Sequence, residues 1–296
     1  MPRLETLLRF ALAHPHDLAG PGRPVVHGAR HQWPDRVLPY GPNPLQQLDF
    51  YRAGDGSRPL LVFLHGGAWQ FGDKARRLKD CKAPFAHEQG WHFASIGFRM
   101  VPEVGVAEMA RDCARGIRLL VEEAATLGID PARIVLMGHS SGAHLAALLG
   151  CDPAYMEEQG LAVDMLAGII ANDGSAYDAG QPSVGPRWLH RRLIAPAFPG
   201  EPSERAALSP VCHASRPPNA PRFLILHTAH GHGSRQAHAL EEALRRGGTP
   251  VERHGFAGRG TMAHVRMSRR FGVPGHPATE ITRRWLVEHF GAVPRG

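Results

Sequence analysis

The sequence predicts an α/β fold with a mostly parallel central sheet, helices on both faces of the sheet and a short cap insertion. Two observations lead to this prediction. Short segments with a strand-like apolar pattern alternate along the chain with longer segments of helix-forming residues. One of the strand-like segments, residues 60–64, is apolar without interruption, which is typical of a parallel strand buried on both faces. Such alternation favours one sheet with helices on either side.

Each predicted element has its own local signal. Residues 46–53 alternate between polar and apolar positions, residues 106–127 have a long helical pattern that ends at Gly128, and residues 133–137 are β-branched and apolar. The remaining elements are shorter runs of the same kinds. The predicted strands are 46–53, 60–64, 93–98, 133–137, 166–171, 222–227 and 251–256. The predicted helices are 79–89, 106–127, 143–149, 234–246 and 278–290.

The predicted organisation is an N-terminal arm over residues 1–45 and a single α/β domain over residues 46–296. The arm is dense in Pro and His and is expected to be irregular, except for a short amphipathic helix near its start. A Pro- and Gly-rich stretch at about 174–221 is expected to form the cap insertion that covers the site. No internal repeat or low-complexity linker divides the domain.

Composition restricts the classes of function. Of the 296 residues, 43% are hydrophobic and 21% are charged, as in ordinary soluble globular proteins. The formal charge is +7, but the Arg residues form no long basic run, so a nucleic-acid partner is not expected. The four Cys residues lack Cys-x-x-Cys spacing and are predicted to be reduced thiols. No stretch has transmembrane length. We therefore expect a cytoplasmic protein with no membrane span. The sequence leaves open whether the protein forms a homodimer.

A pentapeptide between a predicted strand and a predicted helix indicates a nucleophile. Residues Gly138 to Gly142 read Gly-His-Ser-Ser-Gly, with Ser140 at the centre. A Gly-x-Ser-x-Gly pattern alone is weak in a chain with 34 Gly residues. In the strand–turn–helix context, however, it is typical of an elbow that exposes the serine hydroxyl at the edge of a sheet.

A second motif, His65-Gly66-Gly67-Ala68-Trp69, follows the buried strand at 60–64. Acyl transfer needs backbone amides directed at the developing oxyanion, and they come from such a loop and from the residue after the nucleophile. The expected donors are the amides of Gly67, Ala68 and Ser141. Trp69 and Trp188 are candidates for the wall of the substrate pocket.

Together, these motifs resemble the α/β-hydrolase family, and within it the carboxylesterases related to kynurenine formamidase and hormone-sensitive lipase. The matching segments are 40–51, 65–74, 98–103 and 138–146, and the resemblance runs from about Tyr40 to Phe290. The resemblance implies an α/β-hydrolase fold, a serine nucleophile, and hydrolysis of esters or small amides without a metal or cofactor.

The base and the acid are harder to assign. The chain order in this fold is Ser, acid, His, and the resemblance implies that His264, after the last strand, is the base. The acid is expected in the loop after the strand at 222–227. That loop, residues 228–236, has no Asp or Glu, and the position that aligns with the carboxylate is near Gly233.

Three explanations for the missing carboxylate stay open. The acid is supplied after the preceding strand by Asp173 or Asp178; or a Ser–His dyad works without an acid; or the loop is altered, and His230 or His232 carries new acyl-transfer chemistry. A metal site at the loop histidines is not expected, because no supporting carboxylate or Cys stands near them.

The function predicted from these residues is that of a serine hydrolase acting on a small-molecule ester or activated amide. Ser140 is the predicted nucleophile and His264 the predicted base, and Asp173 is the favoured substitute for the acid. The first alternative is an altered hydrolase that uses His230 and His232. The second is a binding protein on a hydrolase fold whose chemistry has decayed.

Overall fold

The computed structural model describes residues 33–74, 81–181, 194–198, 200–229 and 231–294, with the side chain of His232 left out. Within these ranges the strands are β1 (Arg36–Pro39), β2 (Gln47–Tyr51), β3 (Arg58–Leu64), β4 (His92–Ile96), β5 (Ile129–His139), β6 (Leu166–Asn172), β7 (Phe223–Thr228) and β8 (Val251–Phe256). The α-helices are α1 (Lys82–Glu88), α2 (Val106–Glu122), α3 (Ala124–Leu127), α4 (Ser141–Cys151), α5 (Ala154–Glu157), α6 (Pro202–Ala207), α7 (Pro210–Ala214), α8 (His232–Arg246), α9 (Gly260–Arg269) and α10 (Pro277–Phe290). A short 3₁₀ helix, Val163–Met165, precedes β6.

The strands form one eight-stranded sheet in the order β1-β2-β4-β3-β5-β6-β7-β8. Pairing is parallel from β4 to β8, and only β1 and β2 at one edge are antiparallel to their neighbours. The prediction of a mostly parallel sheet is therefore confirmed. The carboxyl ends of β5, β6 and β7 lie side by side, which is where parallel sheets present their functional groups.

The sheet has a hydrophobic core on each face. Along β3, Leu60, Val62 and Leu64 belong to one buried cluster, whereas Leu61 and Phe63 belong to the other. Side chains of a strand alternate between the two faces, so a strand covered on both sides must be apolar at every position. This is the physical reason for the uninterrupted apolar run in the sequence.

Three segments differ from the sequence-based expectations. Residues 36–39, which we expected to be irregular, form the edge strand β1, because Leu38 pairs with Leu48 of β2 and packs on the core. The pattern at 106–127 is two helices, α2 and α3, of which the second ends at Gly128 in the left-handed conformation (φ 70°). Residues 260–269, which include His264 and in which no helix was predicted, form the helix α9.

Several expectations fall on residues outside the described ranges. These are the amphipathic helix near the N-terminus, most of the arm, and the middle of the expected cap insertion. Where the insertion is described, it contains the short helices α6 and α7. In the described part of the chain, no helix is both long enough and apolar enough to cross a bilayer.

Candidate active site

The turn between β5 and α4 holds Ser140 in a strained conformation. Its φ and ψ are 57° and −120°, a combination that side chains rarely adopt outside such turns. The backbone amide of Ser140 donates to Asn172 O of the neighbouring strand β6 at 3.1 Å. A Cβ atom at Gly138 would lie 2.0 Å from the carbonyl oxygen of Gly142, so the turn tolerates only glycine there. The small residues of the motif are therefore a steric requirement of the elbow.

The structure brings Ser140 and Asp173 to opposite sides of the imidazole ring of His264. The Ser140 hydroxyl lies 2.9 Å from His264 Nε2, and Asp173 Oδ2 lies 2.7 Å from His264 Nδ1. Because a carboxylate only accepts hydrogen bonds, Nδ1 carries the proton and Nε2 accepts from the serine hydroxyl. In this tautomer His264 is set up to remove the hydroxyl proton.

Asp173 stands directly after β6 in the left-handed region (φ 49°), and its carboxylate is almost fully buried. Its Oδ1 atom accepts two hydrogen bonds from Thr228, one from the backbone amide at 2.7 Å and one from the hydroxyl at 3.1 Å. Burial raises the pKa of Asp173, but the hydrogen bond and charge of His264 and the Thr228 amide outweigh it, so the pKa lies below its ordinary value. The carboxylate is held in its charged form beside the histidine.

Asp178, the other candidate for the acid, makes no hydrogen bond to His264 among the contacts of the described residues. Its Oδ1 atom instead accepts from the backbone amide of Gly180, two residues along the chain. Of the two loop histidines, His230 and the side chain of His232 lie outside the described residues. At Gly233, the aligned position, an added Cβ atom would lie 3.8 Å from Asp173 Oδ1. Gly233, the position that aligns with the family's carboxylate, therefore lies next to the carboxylate of Asp173, which follows β6.

The loop after β3 lies against the elbow. An added Cβ atom at Gly66 would be 3.0 Å from Ser140 Cβ, and one at Gly67 would be 1.7 Å from the carbonyl oxygen of Phe71. The next residue, Ala68, has a positive φ of 54°. Among the backbone hydrogen bonds of the described residues, none uses the amides of Gly67 and Ala68. These two amides are thus available in the loop beside the nucleophile.

The third expected donor, Ser141, is the first residue of α4. An amide at this position has no acceptor within its own helix, and it lies at the positive end of the helix dipole. The helix N-terminus therefore presents a hydrogen-bond donor directly after Ser140, as an oxyanion requires.

Trp69 was expected to line the substrate pocket, and the structure corrects this expectation. Its side chain is only 1% exposed and makes edge contacts with the rings of His144 and Phe198. Its Nε1–H points at His144 Nδ1 at 3.4 Å, and burial lowers the pKa of His144 to about 4, which keeps that ring neutral. Trp69 therefore packs within the core. The second candidate, Trp188, lies outside the described residues.

Sequence reasoning missed several polar residues around His264. Thr228 holds the carboxylate of Asp173, and His139, Asn172 and Lys82 donate to backbone carbonyls of α9. The only available signal was position, because His139 and Asn172 directly precede Ser140 and Asp173 in the chain. Nothing local to Lys82 or Thr228 indicates their contacts. Among the residues described, no group of three or more His, Cys, Asp and Glu side chains is arranged to hold a metal ion.

An eight-stranded, mostly parallel sheet with a serine elbow at the end of a central strand defines an α/β-hydrolase. The model of the BD-FAE family matches residues 48–233, well over half of the chain. The chain therefore belongs to the BD-FAE family.

Known proteins agree with this assignment. Esterase LipC of Mycobacterium tuberculosis is 31% identical over 265 residues, which cover 79% of this chain and 62% of LipC. A probable isoprenylcysteine alpha-carbonyl methylesterase of Arabidopsis thaliana, ICMEL2, is 34% identical over 127 residues, 42% of this chain and 30% of that protein. The chain thus spans less than two thirds of the length of both curated relatives. A solved thermophilic esterase of Thermogutta terrifontis with butyrate bound superposes with a TM-score of 0.68 at 25% identity, covering 88% of this chain and 96% of that one.

Proposed function

We propose that this protein is a serine hydrolase that cleaves carboxylic esters, or small activated amides, through an acyl-enzyme intermediate. The observation that carries the proposal is the pair of hydrogen bonds from Ser140 to His264 and from His264 to Asp173, at 2.9 and 2.7 Å. Both distances are within the range that proton transfer and ring orientation require. Family membership and the esterases among the relatives support the same class of reaction.

In the proposed first half-reaction, Ser140 Oγ attacks the carbonyl carbon of the ester while His264 Nε2 takes the hydroxyl proton. Asp173 keeps the imidazole in the required tautomer and stabilises the cation that forms. The amides of Gly67, Ala68 and Ser141 donate to the oxyanion of the tetrahedral intermediate. The intermediate then expels the alcohol, which receives the proton from His264, and leaves an acyl group on the serine.

In the second half-reaction, His264 takes a proton from water, and the resulting nucleophile attacks the acyl carbon. The carboxylic acid departs, and the proton returns to Ser140. No cofactor is needed for either step. A short acyl chain is proposed for the substrate, because one solved neighbour holds butyrate. A cytoplasmic location is proposed because the Cys residues that the structure describes form no disulfide bonds, as is usual in a reducing compartment.

The direct test is the Ser140→Ala variant assayed with p-nitrophenyl butyrate. Removal of the nucleophile is expected to lower kcat by about 10⁶-fold, close to the uncatalysed background. A fluorophosphonate probe provides the complementary measurement, because it labels only an activated serine. We expect a mass increase on the Ser140 peptide of the wild-type protein. Wild-type turnover in the variant, or no labelling of Ser140, would contradict the proposal, and the second result would favour the decayed binding protein.

A further inference from the structure

Helix α9, which carries His264, is attached to the rest of the protein by few apolar contacts. Only Met267 and Ser268 are buried in this helix, and the side chain of His264 is 33% exposed. Apolar packing of so small an area fixes a helix weakly. Yet the imidazole has to stay within hydrogen-bond reach of two partners at once, and a displacement of about 1 Å is enough to disturb such a site.

Three buried side chains from other elements donate hydrogen bonds to backbone carbonyl groups of α9, and we name them the α9 clamp. The bonds run from His139 Nε2 to His264 O, from Asn172 Nδ2 to Met267 O, and from Lys82 Nζ to Ser268 O. The donor–acceptor distance is 3.1 Å in each of them. The three donors lie at the end of β5, at the end of β6 and at the start of α1. The clamp thus ties α9 to three separate parts of the fold.

Two of these bonds occupy the end of the helix. The carbonyl groups of Met267 and Ser268 are in the last turn, where no amide four residues onward completes the helix pattern. The ammonium of Lys82 also lies at the negative end of the helix dipole, where a cation is stabilising. Lys82 is only 2% exposed and lies 4.8 Å from the centre of the Phe63 ring. The Ser268 carbonyl also accepts from the Phe271 amide at 3.3 Å, so Lys82 adds a second, charged donor at this end of the helix.

The bond from His139 reaches the backbone of the proposed base itself. Because a carbonyl oxygen only accepts, His139 Nε2 carries its proton. Burial, and then the nearby charge of His264, hold the pKa of His139 well below its usual range, so this ring is a neutral donor. The centres of the His139 and His264 rings are 4.8 Å apart. Because His139 is neutral, it adds no like charge beside the cation that forms on His264.

The positions of the clamp residues couple them to the chemistry. His139 directly precedes Ser140 on β5, and Asn172 directly precedes Asp173 on β6. The same strand ends that carry the proposed nucleophile and acid therefore also hold the helix that carries the base. Any movement of one strand end shifts its catalytic group and its clamp donor together.

We propose that His139, Asn172 and Lys82 are positioning residues that set the register of α9, so that the ring of His264 stays between Ser140 and Asp173. The proposal rests on the proposed serine hydrolase function. Lys82 is the residue of choice for a test, because Lys82→Met removes the donor and keeps an unbranched apolar stem, while Lys82→Arg keeps a cationic donor.

The test is a double-mutant cycle with His264→Ala, assayed with p-nitrophenyl butyrate well below the melting temperature of each variant. In the wild-type background, Lys82→Met is expected to lower kcat by about 10- to 100-fold with KM nearly unchanged, and Lys82→Arg to recover part of the loss. In the His264→Ala background, Lys82→Met is expected to change the residual rate by less than about twofold, because no base is left to misplace. The pair His139→Leu and His139→Gln repeats the cycle, since Gln retains a donor near Nε2.

Two results would overturn the proposal. If Lys82→Met and His139→Leu leave kcat unchanged, the clamp does not position the base. If they lower the residual rate of His264→Ala by the same factor as the wild-type rate, their effect is on the fold in general. Should Lys82→Met fail to fold, the His139 pair decides between these outcomes. Full activity of His264→Ala alone would instead contradict the proposed function, and this result is separate from the clamp.

Discussion

The carboxyl ends of β6 and β7 are neighbours in the sheet and contribute different groups to the same point. The chain after β6 begins with Asp173, a buried carboxylate, whereas β7 ends with Thr228 and leads into a loop without Asp or Glu. Thr228 donates two hydrogen bonds to the carboxylate of Asp173. One strand end therefore supplies the charge and the other supplies the donors that hold it.

The two strand ends show that the carboxylate beside His264 need not come from one particular loop. The ends of adjacent parallel strands converge at one edge of the sheet, so a group on either strand reaches the same imidazole. Gly233 illustrates this, since a Cβ atom there would be 3.8 Å from Asp173 Oδ1. A carboxylate-free loop after β7 is thus compatible with a charged partner for His264.

The largest effect is expected from removing the charge at the end of β6. Asp173→Asn keeps the shape of the side chain, but it favours the wrong tautomer of His264, and kcat should fall by about 10⁴-fold. The matched control is Asp178→Asn, which removes the other nearby carboxylate and should stay within about threefold of wild type. Steady-state kinetics with p-nitrophenyl butyrate measures both. A large loss in Asp178→Asn with none in Asp173→Asn would reverse the comparison.

A smaller effect is expected from the donors at the end of β7. Thr228→Val removes the hydroxyl that lies 3.1 Å from Asp173 Oδ1 and leaves the backbone amide in place. Because a hydrogen bond to a charged group contributes on the order of 1.5 kcal/mol, kcat should fall by up to about tenfold. Thr228→Ser keeps the hydroxyl and serves as the control. Equal kcat values for Thr228→Val and Thr228→Ser would show that the hydroxyl does not support the carboxylate of Asp173.

The smallest effect concerns stability and pH. The pKa of Asp173 is lowered in the folded protein, so the charged carboxylate stabilises the fold at pH values above its unfolded pKa. This contribution is lost as the pH falls through the lower, folded pKa. The difference in unfolding free energy between wild type and Asp173→Asn should therefore shrink between about pH 5 and pH 3. Urea unfolding of both proteins across this range measures it, and a difference that grows as the pH falls would contradict the assigned direction.

Much of the fold could be predicted from the sequence because its central strands carry strong local patterns. The segment at 60–64 had to be apolar throughout, since both faces of β3 are covered. By contrast, β1 is a four-residue edge strand that is mostly exposed, so its composition carries little signal. Helix α9 buries only two residues, and without an apolar stripe its sequence did not indicate a helix.

The candidate site was predictable only in part. Ser140 stands in a motif whose small residues are required by the local turn, so the sequence alone could indicate it. The partner of His264 is different, because Asp173 is 91 residues away along the chain and no local pattern connects the two. Strand-end position made Asp173 a candidate. The hydrogen bond between Asp173 and His264 in the folded chain supports this choice over Asp178.

The central claim is that Asp173, directly after β6, has the role of the acid that is otherwise expected in the loop after β7. The most direct measurement is kcat of an exchange variant, Asp173→Gly with Gly233→Asp, compared with Asp173→Gly alone. Glycine suits the positive φ at residue 173, and an Asp at residue 233 lies in the first turn of α8, where a negative charge is favoured. We predict a loss of about 10⁴-fold in the single variant and a recovery of at least about tenfold in the exchange. Near-wild-type turnover in Asp173→Gly alone, or no recovery in the exchange, would contradict the claim.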